Sequence, residues 1–236
     1  MGADEAITEQ ERIRRVYQHW LGEARINAYA WHRPENLAQS AARMRVSAAL
    51  LADTVGTDLS ELDIIDVGCG SGTFLRQLVN WGADPHRLIG TEYQQQRLDL
   101  AALRSPPSMR WHLGDLHVVG SGTLDLIVAN TVFSSVLDAA ARATLAEAMW
   151  RVLRPGGWCM VFDFRYNNPR NANVRRVRRA ELVQMWPGTQ GRYRTLLLAP
   201  PLARRLSRAP RLLSELLHAL LPPLRSHFIF MVQKPR

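Results

Sequence analysis

Gly68, Gly70 and Gly72 stand one residue apart in the stretch Leu-Asp-Ile-Ile-Asp-Val-Gly-Cys-Gly-Ser-Gly-Thr-Phe-Leu, residues 62–75. Ile64, Ile65 and Val67 before them read as a buried parallel strand, and Phe74, Leu75, Leu78 and Val79 after them open a helical period. The glycines therefore sit at a strand-to-helix turn. Having no Cβ, they can take positive φ and let a ligand lie against bare backbone, at a helix N-terminus whose free amides favour polar or anionic groups. That chemistry suits a nucleotide-type cofactor. A dinucleotide fingerprint would carry its third glycine one place later, where this chain has Thr73, and Asp66 stands before the loop instead. Both departures point away from NAD.

The order strand, acidic residue, Gly-x-Gly-x-Gly, helix resembles the first motif of the class I S-adenosylmethionine-dependent methyltransferases. Further stretches resemble that family in its own order. Leu88-Ile89-Gly90-Thr91-Glu92 is similar to its second strand, and Trp111-His112-Leu113-Gly114-Asp115-Leu116 to its third. Leu124 to Asn130 is similar to the fourth, and Arg151 to Trp158 to the turn into the fifth, with Pro155, Gly156 and Gly157 forming that turn. The resemblance covers about residues 58–165.

The resemblance implies a cofactor, S-adenosyl-L-methionine, leaving as S-adenosyl-L-homocysteine. It assigns Asp66, Gly68, Cys69, Gly70 and Gly72 to the loop, with Cys69 a filler. It makes Glu92 the carboxylate that accepts both ribose hydroxyls through its two oxygens, followed by Tyr93. Asp115, followed by Leu116, would accept from the adenine amino group, and Asn130 would meet the methyl end of the cofactor or the acceptor. Each has a plainer alternative: Glu92 as a solvated strand end, and Asp115 as a turn residue bonding its own backbone.

A sulfonium methyl is already activated, so the protein mainly aligns a nucleophile and excludes water. A hydroxyl acceptor would gain from a general base, for which Asp138, Asp163, His112 and His117 are the candidates. Thr131, Phe133, Ser134 and Ser135 follow Asn130 and are placed to line an acceptor pocket. After the fifth strand the chain runs Asp163-Phe164-Arg165-Tyr166-Asn167-Asn168-Pro169, dense in hydrogen-bonding groups at the ligand-binding edge of the sheet. Tyr17, Tyr29, Ser134, Arg165, Tyr166, Asn167 and Asn168 form the expected substrate set. No metal site is expected. The Asp163–Pro169 loop and the segment 198–206, Leu-Ala-Pro-Pro-Leu-Ala-Arg-Arg-Leu, look like a type 11/12-like subgroup acting on small molecules and cell-surface glycans.

Positioning these groups requires an α/β, three-layer Rossmann-like sandwich. The family implies a seven-stranded, mostly parallel sheet of order 3214576 with the last strand antiparallel. Helical periods over 5–21 and 36–55 predict an N-terminal cap, Trp158–Phe164 a fifth strand, Arg192–Leu198 a sixth and Ser226–Val232 a seventh. Between the last two, leucines and arginines predict an amphipathic helical insert bounded by Pro200-Pro201 and Pro222-Pro223. One domain over 1–236 is expected: cap 1–57, core 58–199, insert 200–225, final strand 226–236.

The 236 residues carry 30 basic and 21 acidic side chains, and every basic one but Lys234 is arginine. From Arg165 onward 15 basic residues face only Glu181 and Glu215, so that part is +13 and the remainder −4. Arg175-Arg176-Val177-Arg178-Arg179, expected at a helix start, lacks the interleaved aromatics of a nucleic-acid site, which disfavours that partner. Two cysteines offer no disulfide framework. The first residues lack the apolar core of a secretory leader, and no run is long enough to span a bilayer. The sequence thus reads as a cytoplasmic methyltransferase for a small-molecule or carrier-linked intermediate of natural-product or cell-surface glycan biosynthesis. Peripheral membrane contact through the insert and homodimerisation are open, and the acceptor atom is not specified. An RNA methyltransferase using the basic C-terminal face and a noncatalytic S-adenosylmethionine-binding protein are the alternatives, with an NAD oxidoreductase as the fallback.

Overall fold

The computed structural model describes residues 8–18, 32–169, 171–199 and 221–236. In chain order the elements are α1 (Glu9–Gln18), α2 (Pro34–Thr54), β1 (Ile64–Val67), α3 (Thr73–Asn80), β2 (Leu88–Glu92), α4 (Gln95–Leu103) and β3 (Arg110–Leu113). They continue with β4 (Leu124–Asn130), α5 (Ala139–Val152), β5 (Leu153–Phe164), α6 (Arg179–Met185), β6 (Gly191–Leu198) and β7 (Arg225–Gln233). The sheet runs β3-β2-β1-β4-β5-β7-β6. Its first five strands pair in parallel, and β7 is antiparallel to both neighbours. This is the topology that the resemblance implies.

The central strands are nearly continuous apolar runs because both faces of the sheet are covered. All four residues of β1 and six of seven in β4 are buried. Alternation then divides their side chains. Ile65, Val67, Ile127, Ala129 and Val161 join a core with Ala146, Met149 and Val152 of α5. Ile64, Leu126, Val128, Met160 and Phe162 join a second core with Leu50 and Leu51 of α2 and Phe74 and Leu75 of α3.

Several boundaries differ from the sequence reading for tertiary reasons. Pro155, Gly156 and Gly157 lie inside β5, not in a turn before it, because Gly156 N donates to Lys234 O (2.9 Å) and Lys234 N to Gly157 O (2.9 Å). The helix expected at the 175–179 arginines begins only at Arg179, with Arg178 as its N-cap. Residues 200–220 of the expected insert, and Tyr29 of the cap, lie outside the described residues. Pro222–Leu224 form a 3₁₀ turn leading into β7. Among the described residues no helix is long and apolar enough to cross a membrane.

One buried cation ties the basic segment to the sheet. Arg142 of α5, fully buried, donates from Nε to Val136 O (2.6 Å), from Nη2 to Arg175 O (3.0 Å) and from Nη1 to Glu181 Oε1 (2.7 Å). Such a guanidinium is stable inside only because nearly all its donors are matched. Replacing Arg142→Ala orphans these acceptors and is expected to lower stability by about 2–4 kcal/mol, as measured by urea unfolding.

Candidate functional site

A cavity of about 440 Å³ opens at the carboxyl ends of the central strands. Val67 and Gly68 form part of its wall, with Thr91, Glu92 and Tyr93 at the end of β2, Asp115 and Leu116 after β3, and Asn130, Thr131 and Val132 at the end of β4. Gly68 has φ +64°, and a Cβ there would lie 2.9 Å from Val132 Cγ2. Gly72, the N-cap of α3 at φ +73°, would place a Cβ 2.6 Å from the Trp111 ring. Side chains at either position would strain the loop and press on its neighbours.

Glu92 is the anchor of the loop. Its Oε2 accepts from Gly70 N (3.1 Å), its Oε1 from Tyr93 N (2.7 Å) and Gln94 N (3.3 Å), and Arg97 lies 3.8 Å from Oε2. The carboxylate therefore joins β2 to the glycine turn, and Oε2, which takes one hydrogen bond among the described residues, keeps acceptor capacity beside the cavity. Asp115 serves a local turn as well as lining the cavity: Oδ1 accepts from His117 N (2.9 Å), and Oδ2 is 3.4 Å from His117 Nε2.

Asp66 is buried beside Asn130, whose Nδ2 donates to it (3.3 Å). Burial raises the Asp66 carboxyl to about 7, opposed by the Arg43 guanidinium and the Asn130 amide. Asn130 Oδ1 and Thr91 Oγ1 are sealed from solvent with no partner in the described structure. Thr131 adopts φ +57°, an unusual conformation for a β-branched residue, held by Thr131 N donating to Phe162 O (2.7 Å).

The N-terminal helix α1 closes the cavity. Glu9, Ile13 and Tyr17 line it. Arg12 Nη2 donates to Ser135 O (2.5 Å), Leu137 N donates to Glu9 Oε1 (2.5 Å), and Tyr17 Oη meets Ser135 Oγ at 2.5 Å. Gln94 Nε2 adds a bond to Arg14 O (2.7 Å), and Arg97 lies over the Tyr17 ring at 4.9 Å. These contacts join residues 80 or more positions apart, whereas the helical period of α1 shows only that one face is apolar.

The expected cofactor residues Gly68, Glu92, Tyr93, Asp115, Leu116 and Asn130 come together on the cavity wall, as does Tyr17 of the substrate set. Asp66, Gly70 and Gly72 do not line it, and the Cys69 thiol is buried, its proton affinity pushed up by desolvation. Ser134 is fully buried, and its neighbour Ser135 reaches the cavity instead.

The other expected residues are engaged elsewhere. Arg165 Nη1 donates to Pro222 O and Arg225 O, Tyr166 Oη donates to Pro223 O, and Asn167 Oδ1 accepts from Arg176 N. Asn168 O accepts from Asn171 N. This loop secures the entry to β7 and does not line the cavity. Of the proposed bases, Asp138 caps α5 through Ala141 N (2.6 Å), and His112 lies on β3 away from the cavity. His117 sits exposed at the rim. Asp163 is buried with its oxygens taking Ser134 N (2.9 Å) and Phe164 N (2.8 Å); burial raises its carboxyl to about 6, against those bonds.

The hydrogen bond from Arg12 holds the Glu9 carboxyl below its ordinary value of 4.5 despite partial burial. A lowered carboxyl stabilises above its unfolded value and loses that effect as pH falls through the folded one. Docking of α1 should therefore be complete at neutral pH and weaken below about 4.5. At pH 7, Glu9→Gln should raise amide exchange over residues 8–18 about tenfold or more, the worth of a charge-assisted bond, while leaving the sheet protected.

Comparison with known proteins agrees with this geometry. A family model described as "Methyltransferase domain" matches residues 64–157. The chain is 37% identical over 97 residues to an uncharacterized 37.1 kDa protein in transposon TN4556 of Streptomyces fradiae, covering 39% of this chain and 27% of that one. It is 25% identical over 134 residues to the magnesium-protoporphyrin O-methyltransferase of Rhodobacter capsulatus, covering 52% of this chain and 58% of the enzyme. The chain thus spans less than two thirds of the length of either relative. The solved structure of phosphoethanolamine N-methyltransferase 2 from Haemonchus contortus superposes with a TM-score of 0.67 at 13% identity, covering 100% of this chain and 62% of that one. At that identity the likeness concerns the fold. Residues 64–157 are thus similar to the methyltransferase-domain family, and the chain has the Rossmann-like fold seen in solved S-adenosylmethionine-dependent methyltransferases.

Proposed function

We propose that this protein is a cytoplasmic enzyme that transfers the methyl group of S-adenosylmethionine to a small-molecule or carrier-linked biosynthetic intermediate. The observation that carries this reading is Glu92, which faces the cavity at the end of β2 and holds the neighbouring glycine loop through Gly70 N. The unpartnered Asn130 Oδ1 and Thr91 Oγ1 fit the same reading, because buried polar atoms without partners call for a polar ligand. The cofactor supplies a methyl group already activated on a positive sulfur.

The protein's part is binding, orientation and exclusion of water. Glu92 Oε2 is placed to accept from ribose hydroxyls, and Asp115 to accept from the adenine amino group, with Leu116 and Val132 giving apolar walls. Asn130 stands nearest Asp66 and the glycine loop, where the methyl-bearing end would lie. α1 covers the cavity with Ile13 and Tyr17. The R. capsulatus relative, by its name an O-methyltransferase for magnesium-protoporphyrin, supports a small-molecule acceptor.

Calorimetric titration with S-adenosylhomocysteine, beside NAD, tests the reading. Binding of the former alone is expected. Glu92→Ala should weaken it by about 10- to 100-fold, the worth of hydrogen bonds to a charged group. Binding of NAD alone by the folded protein would replace methyl transfer with hydride chemistry.

A further inference from the structure

Beyond Asn130 the cavity wall carries side-chain oxygens whose protons are already spent. Asn130, Thr131 and Ser135 line the cavity from the end of β4 onward, and Tyr17 lines it from α1. Asn130 Nδ2 donates to Asp66 Oδ1 (3.3 Å), and Thr131 Oγ1 donates to Asn130 O (2.7 Å). Ser135 Oγ donates to Thr131 O (2.9 Å) and stands 2.5 Å from Tyr17 Oη. A serine hydroxyl has one proton, and a carbonyl can only accept. The Ser135 proton therefore belongs to Thr131 O, and Tyr17 is the donor in the 2.5 Å pair. The chain from Tyr17 through Ser135 to Thr131 O runs one way. Toward a group entering the cavity, Tyr17 Oη and Ser135 Oγ can act only as acceptors.

The surroundings hold this polarity. Burial raises the Tyr17 hydroxyl above its ordinary value of 10, opposed by the Ser135 hydrogen bond and the Arg97 charge, so the proton stays on at pH 7. Arg12 Nη2 donates to Ser135 O and Leu137 N to Glu9 Oε1, which fix the serine against α1. Of the guanidinium groups on the wall, Arg97 lies 3.8 Å from Glu92 Oε2 and over the Tyr17 ring, and Arg151 donates to Leu116 O (2.9 Å), Val119 O (3.1 Å) and Ser121 Oγ (3.2 Å). Glu9, Glu92 and Asp115 add carboxylates to the same cavity. A carboxylate brought against Tyr17 and Ser135 would set lone pairs against lone pairs and lose its water without replacement. An O–H or N–H is matched there.

We propose that Tyr17 Oη receives the O–H or N–H of the methyl acceptor, with Ser135 as the positioning residue that sets the tyrosine's polarity, so that the enzyme takes hydroxyls or neutral amines in preference to carboxylates; this rests on the methyl-transfer reading above. In that reading the methyl-bearing end of the cofactor lies by Asn130, and Thr131 joins Asn130 directly to the hydroxyl pair. A hydrogen bond to Tyr17 orients the acceptor atom and leaves it a lone pair to meet the methyl carbon. The new bond forms as the carbon–sulfur bond breaks, its electron pair staying on sulfur. The methylated oxygen or nitrogen, now positively charged, gives its proton to water. Tyr17 keeps its own proton, because the chain behind it ends on a carbonyl.

The test uses the full chain, labelled S-adenosylmethionine and a panel of matched aliphatic, aromatic and sugar-like alcohols, amines and carboxylates. The wild type is expected to methylate alcohols or amines with kcat/KM about tenfold or more above the matched carboxylates, and the arm that reacts names the acceptor atom. Tyr17→Phe, which keeps the ring beneath Arg97, should lower kcat/KM for those acceptors about tenfold and leave S-adenosylhomocysteine affinity unchanged. Ser135→Ala keeps the carbonyl that Arg12 uses and releases the Tyr17 proton toward the cavity. The preference for alcohols or amines over carboxylates should therefore fall about tenfold, whereas a merely structural serine would lower all acceptors alike. Tyr17→Phe serves should Ser135→Ala fail to fold. A wild type that prefers carboxylates or methylates no alcohol or amine, wild-type turnover in Tyr17→Phe, or an unchanged preference in folded Ser135→Ala would overturn the proposal. Failure of the wild type to bind S-adenosylhomocysteine would instead remove the reading on which it rests.

Discussion

The site depends on the segment that follows β4 being gripped from two sides. From within, Asp163 accepts from Ser134 N, Arg175 N donates to Ser134 O, and Arg142 donates to Val136 O. From without, α1 supplies Arg12 to Ser135 O and Glu9 to Leu137 N. Buried backbone groups in an irregular segment need partners, and here charged side chains provide most of them. Residues 131–137 thereby keep a shape that includes Thr131 at positive φ. That shape sets Thr131, Val132, Ser135 and Val136 along the cavity.

The same arrangement gives three acids three different tasks. Asp163 and Asp66 are both pushed up by burial, to about 6 and about 7. Asp163 spends its oxygens on two backbone amides, so its chemistry is structural. Among the described residues Asp66 has Asn130 as its one close donor and the longer-range pull of Arg43. Glu92 bonds three amides and still faces the cavity. Alternation along the strands sets Asp163 on the α5 face of the sheet and Asp66 and Glu92 on the α2 face.

The sheet and the glycine loop were legible in the sequence because they rest on local signals: apolar runs such as Leu126–Ala129, and glycines where φ must be positive. Glu92, Asp115 and Asn130 were legible as strand ends in a familiar order. The α1 clasp was not, since Glu9 and Arg12 find their partners more than 120 residues away. Nor was the fate of Arg165, Tyr166 and Asn167, whose polarity suggested a ligand but is absorbed by the chain around Pro222–Arg225 and by Arg176. Hydrogen-bonding capacity is visible in a sequence; its consumption depends on tertiary neighbours.

The charge surplus acquires a different meaning at the two ends of the sheet. Among the described residues β3 and β6 are its outermost strands, each with one row of backbone groups facing no further strand. Arg110 on β3 and Arg192 and Arg194 on β6 are exposed. Paired against a second copy of the same edge, these arginines would bring like charges together, and the pairing would be repelled. The arginine-rich composition thus also acts as a guard against edge-to-edge aggregation, protecting a sheet whose interior strands are among the most apolar parts of the chain.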